Sequence, residues 1–125
     1  MRNIEDTVAD RPWGNYIKLY QEMGVWVKRV EVKPQQRLSL QFHNKRSEKW
    51  IVVKGEGVAI VNDEEIPLQP GSTVDIPLSA VHRMWNTGDK KLVFIEVATG
   101  DYLSEDDITR VQDDYVRKED EGSNS

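Results

Sequence analysis

RLSLQFHNKRSEKWIVVKG, residues 37–55, reads as two β-strands joined by a polar turn. Side chains two apart in a strand share a face. Gln41 and His43 therefore point one way, with Arg37 and Ser39 beside them if the strand is regular. Across the turn, Glu48, Trp50 and Val52 share a face. A second stretch, GSTVDIPLSAVHRMWN (residues 71–86), supplies His82, with Met84 and Asn86 on its side. The chain has two histidines, one in each stretch. If the inner faces converge inside a barrel, Gln41, His43, Glu48 and His82 can meet at one point. Two imidazoles, a carboxylate and an amide oxygen suit a borderline divalent ion such as zinc. On spacing alone the rival reading is two ordinary histidines near strand ends and a surface glutamate.

Working outward, residues 15–20 (NYIKLY) and 25–32 (VWVKRVEV) read as strands, and Pro34 breaks the run. Residues 55–68 form a hairpin turning at Asn62-Asp63. Short strands follow at 73–77 and 82–85. Residues 91–100, KLVFIEVATG, are the clearest strand in the chain. Ser104, followed by Glu105, Asp106 and Asp107, predicts a capped short C-terminal helix. Residues 1–10 are expected to be an N-terminal arm anchored by Trp13, residues 11–117 one domain, and residues 118–125 a solvated, disordered tail. Many short strands with turn signals between them predict an all-β small barrel or two-sheet sandwich.

A length of 125 residues fits one domain. The net charge of −5 gives no basic face for nucleic acid. No apolar run is long enough to span a membrane. With no cysteine, disulfides and thiolate metal sites are excluded. The first residues are acidic and lack an apolar signal core, so the cytoplasm is the expected compartment.

The two stretches fit the cupin pattern. Gln41, His43, Glu48 and Gly55 match its first part, and Gly71, Pro77, His82 and Asn86 its second. Gln41 takes the place of the first His. Gln35 and Ser79 stand where the pattern has Gly. More closely, the chain resembles the C-terminal cupin domain of type II mannose-6-phosphate isomerases. RPWG (residues 11–14), VKRVEVKP, RLSLQ, Glu48-x-Trp50, IEV and EDDI-x-R-x-x-D-x-Y carry that resemblance over residues 10–117. Such a domain is often fused behind a mannose-1-phosphate guanylyltransferase, a half not seen in this sequence. The resemblance implies a double-stranded β-helix, jelly-roll-like barrel, a metal held by Gln41, His43, Glu48 and His82, and a homodimer. It departs at the turn, where relatives read roughly H-H-H-R-A-E-H-W and this chain has HNKRSEKW.

The implied reaction interconverts mannose 6-phosphate and fructose 6-phosphate. It moves a proton between C1 and C2 through an enediolate, which a metal stabilises and a base must serve. With both histidines used as ligands, the base should be a carboxylate or a lysine. Glu96, a lone carboxylate in an apolar strand, leads, with a structural ion pair as its rival role. Lys49 is second, because it alternates away from Glu48. For the phosphate, Arg46 leads, Arg37 helps, and Arg83 points opposite to His82. The alternative functions are a non-catalytic sugar-phosphate-binding cupin and another metal-dependent cupin enzyme such as a dioxygenase.

Overall fold

The computed structural model describes residues 8–115. The strands are β1 (Val8–Arg11), β2 (Gly14–Glu22), β3 (Val25–Val32), β4 (Leu40–Phe42), β5 (Arg46–Lys54) and β6 (Gly57–Val61). They continue with β7 (Glu64–Leu68), β8 (Thr73–Ile76), β9 (His82–Trp85), β10 (Leu92–Gly100) and β11 (Thr109–Gln112). They form a six-stranded sheet, β1-β2-β3-β10-β5-β8, facing a five-stranded sheet, β11-β4-β9-β6-β7. All pairings are antiparallel. The architecture is the all-β two-sheet form expected from the strand pattern. No helix among the described residues is long and apolar enough to cross a membrane.

Alternation builds the core. In β3, Trp26, Lys28, Val30 and Val32 are buried while the residues between them are half exposed. In β5, Glu48, Trp50 and Val52 turn inward and Lys49, Ile51 and Val53 outward. Trp13, Val30, Trp50, Val74, Met84 and Phe94 pack between the sheets. Trp13 thus anchors the N-terminal segment, and its carbonyl accepts from Lys33 N. Asn86 is fully buried and satisfied. Its Nδ2 donates to Val32 O (2.9 Å) and Lys90 O (2.7 Å), and its Oδ1 accepts from Gly88 N (2.9 Å). Asn62 (φ 48°) and Asp63 (φ 70°) make the left-handed turn that joins β6 to β7.

Two sequence expectations meet a different structure, and a third lies outside the described residues. Residues 8–10, at the end of the expected arm, pair in β1, while residues 1–7 fall outside the described residues. The tail over 118–125 falls outside them too. The expected C-terminal helix is absent from residues 104–115. Ser104 does cap, with Asp106 N donating to its Oγ (3.2 Å), but it caps a turn. The chain then extends as β11 along β4. β4 is three residues long and meets β9 at a single register pair, Gln41 opposite His82.

Candidate metal centre

The site lies between the sheets. β4 carries Gln41, and His43 follows it by one residue. β5 carries Glu48, and β9 opens with His82. His43, Glu48 and His82 each offer a ligand atom, and these atoms all lie within 4.8 Å of one another. His43 Nε2 is 3.4 Å from Glu48 Oε2. Donors on a tetrahedral ion with bonds near 2 Å stand roughly 3.3 Å apart, so this edge is already of the right length. All three residues are buried, at 3–4% exposure.

Hydrogen bonds orient the donors. His43 Nδ1 donates to Asp107 O (2.7 Å), and His82 Nδ1 donates to Ala80 O (2.8 Å). A nitrogen facing a carbonyl must carry the proton, so each Nε2 presents a lone pair to the cluster. The Asp107 carboxylate accepts from Asn44 N and Lys45 N, both at 2.9 Å, and so fixes the turn that follows His43. Glu48 Oε1 accepts from Trp50 Nε1 (2.9 Å). Gln41 Nε2 donates to Ser39 O and Oγ, which leaves its oxygen as the end suited to a cation.

Burial lowers both imidazoles, His43 to about 4, against the pull of the Glu48 charge. Both are therefore neutral near pH 7. Burial alone would raise the Glu48 carboxyl. Charge on His43, His82 and Arg46 reverses that and holds it below the usual carboxylate range. Once the imidazoles are neutral, Arg46 is the cation that remains. Its Nε donates to Glu48 Oε2 (2.9 Å), Nη1 to Ser104 O (3.1 Å), and Nη2 lies 3.3 Å from His43 Nε2. Two neutral imidazoles, an ionised carboxylate and an amide oxygen are the protonation states a divalent ion requires. The residues fit the metal that the sequence pattern implies.

The same cavity is lined by Arg46, Arg83 and Glu96 of the sequence candidates. Glu96 is 8% exposed, and Trp26 Nε1 donates to its Oε2 (2.9 Å). Burial, and then the Glu48 charge, push its carboxyl up to about 7. Lys49 does not reach the cavity. It lies on the outer face of β5, 76% exposed at its side chain, and pairs with Asp75 (2.9 Å), so it is withdrawn as a base. Arg37 is also outside. It lies over the Trp85 ring and pairs with Asp114, because it bridges to Trp85, on the face opposite His82. Arg83 is buried rather than solvated. Its Nε is held by Leu38 O (2.9 Å) and its Nη1 by Gln112 Oε1 (3.4 Å).

Three cations at the cavity escape the sequence reading: Arg11, Lys28 and Arg110. Arg110 sits opposite Gln41 in the register of β11 on β4, a pairing hidden by the helix expected there. Lys28 had a visible signal. It alternates in phase with Trp26 and Val30, both core residues.

The geometry agrees with comparison to known proteins. The family model described as mannose-6-phosphate isomerase C-terminal matches residues 2–113. The xanthan biosynthesis protein XanB of Xanthomonas campestris is 45% identical over 107 residues, covering 86% of this chain and 23% of that protein. Mannose-1-phosphate guanylyltransferase ManC of Salmonella typhimurium is 42% identical over 107 residues, covering 86% and 22%. The chain thus spans under a quarter of the length of these relatives. Among solved structures, a cupin-2 domain from Rhodospirillum rubrum superposes with a TM-score of 0.64 at 19% identity, covering 87% of this chain and 69% of that one. This likeness fixes the fold as cupin. The chain belongs to the mannose-6-phosphate isomerase C-terminal family.

Proposed function

We propose that the chain is a metal-dependent mannose-6-phosphate isomerase, with zinc as its ion and Gln41, His43, Glu48 and His82 as the ligands. The reading rests on Glu96, a buried carboxyl with a pKa of about 7 on the wall of the cavity that holds the ligand cluster. A base near neutrality is what proton transfer next to a carbonyl needs. An ion held by the ligands would polarise the sugar carbonyl and stabilise the enediolate charge. The Glu96 carboxylate takes the proton from C2 of the aldose and returns it to C1. A second proton passes from O2 to O1, so the ketose forms with no net loss. Arg46 faces substrate in this scheme. Its Nη2 shares the His43 Nε2 lone pair, and a metal bond at that nitrogen would free Nη2 for a substrate oxygen.

The turn residues that depart from the relatives do not weaken this reading. Asn44, Lys45 and Lys49 are not among the residues lining the cavity. The test is elemental analysis of the purified chain, then a coupled assay from mannose 6-phosphate to fructose 6-phosphate after zinc loading. One ion per chain and turnover are expected. A fully loaded chain that binds the sugar phosphate without turnover would make it a binding module instead.

A further inference from the structure

Lys28 is a cation that the scheme above leaves unused. It is 5% exposed, on β3, and lines the cavity. Its ammonium lies 4.2 Å from the ring centroids of both Tyr16 and Trp26. Its ion-pair partner is Glu105, at 2.6 Å. Glu105 also lines the cavity, but its side chain is 51% exposed. The pair therefore joins a buried cation to an anion at the solvent edge.

The position relative to the ligand cluster is set by Trp26. The Arg46 guanidinium lies 4.8 Å from the same indole centroid, and Arg46 touches Glu48 and His43. The indole nitrogen donates to Glu96. One aromatic side chain thus adjoins the base, the ligand-side cation and Lys28. Lys18 also lies over that ring, at 4.5 Å, but does not line the cavity.

We propose that Lys28 is the cation that receives the sugar's phosphate, and that Glu105 is a stand-in anion which the phosphate displaces. The proposal deepens the isomerase reading and rests on it. A buried ammonium without a counter-charge is costly, so it stays paired before substrate arrives. A phosphate offers more charge and more acceptor oxygens than one carboxylate. The displaced Glu105, already half in water, loses little on release. A sugar phosphate then lies with its carbonyl end at the ligand cluster and its phosphate towards the mouth.

Calorimetry on the zinc-loaded full chain, with mannose 6-phosphate and with mannose, tests this. Wild type should prefer the phosphorylated sugar. Lys28→Met should weaken mannose 6-phosphate roughly tenfold or more and leave mannose unchanged. Glu105→Gln should tighten mannose 6-phosphate by roughly two- to fivefold, again without effect on mannose. Glu105 is exposed enough for that variant to fold, so it decides the matter if Lys28→Met does not. Equal binding of both sugars by wild type would remove this proposal together with the sugar-phosphate reading. A clear wild-type preference that either folded variant leaves unchanged would remove this proposal alone.

Discussion

At Glu96 burial brings a carboxyl group to the protonation balance that the proposed proton transfer would need. Burial and the Glu48 charge raise it to about 7, against Lys28, the Trp26 N–H and Arg46. In the proposed scheme the base is the ionised form, so kcat/KM should rise with pH through this pKa. A divalent ion beside Glu48 would offset part of that charge and move the acid limb below 7. Glu96→Gln should cut kcat by about 100-fold or more with metal content unchanged, measured by assay and elemental analysis. The stability effect has a definite sign. Folding raises this pKa, so its favourable contribution is complete below the unfolded value of about 4.5 and is lost as pH rises through 7. Metal-free Glu96→Gln should therefore melt above wild type at pH 8, with the gap closing towards pH 4. A lower melting temperature at pH 8 would instead mark Glu96 as a structural partner of Lys28.

The turns show where sequence and element agree less well. Ser79 (φ 64°) and Gln35 (φ 65°) stand at the two places where the cupin pattern has Gly, and both are left-handed. Ser79 N donates to the carbonyl of His43 (2.8 Å), a bond any residue keeps. Its Oγ reaches Asn44 only at 3.5 Å. Ser79→Gly should thus stabilise the chain by about 1 kcal/mol, read from the urea midpoint. Gln35→Gly should gain less, since Gln35 Nε2 bonds Thr87 O and Gly88 O. Alternation revealed β3, a long run of β-forming residues revealed β10, and strand parity with the two-part motif revealed His43, Glu48 and His82. It could not reveal what covers each face. Lys28 alternates in phase with Trp26 and Val30, but the cover that Tyr16 and Trp26 supply over its ammonium is not legible in the strand. The Ser-Glu-Asp-Asp signal at 104–107 serves a turn as well as a helix. Docking of Asp107 on the Asn44 and Lys45 amides, and pairing of β11 with β4, settle it in favour of the turn.

For the whole molecule, the ligands matter because they come from both sheets. Ligands that bind only the folded chain stabilise it by mass action, about 2.7 kcal/mol at a hundredfold excess over Kd. Zinc should raise the melting temperature, a chelator should reverse the gain, and His82→Ala should abolish the response. β4 itself meets β9 only at the Gln41–His82 pair, while the residues leading into it are held by the Arg37–Trp85 bridge and by the Leu38 N–Met84 O (3.0 Å) and Asn86 N–Gln36 O (2.9 Å) bonds. Gln41 and His82 form the last pair of that seam, and Glu48 reaches it from the opposite sheet, so an ion bound there would work as a latch at the end of the wall where backbone pairing stops. Opening in that wall is then a local event with its own free energy, separable from global unfolding. Amide hydrogen exchange after chelation should quicken first along residues 40–43 and 109–112. The amides of β10, bonded on both sides by β3 and β5, should keep their slow rate.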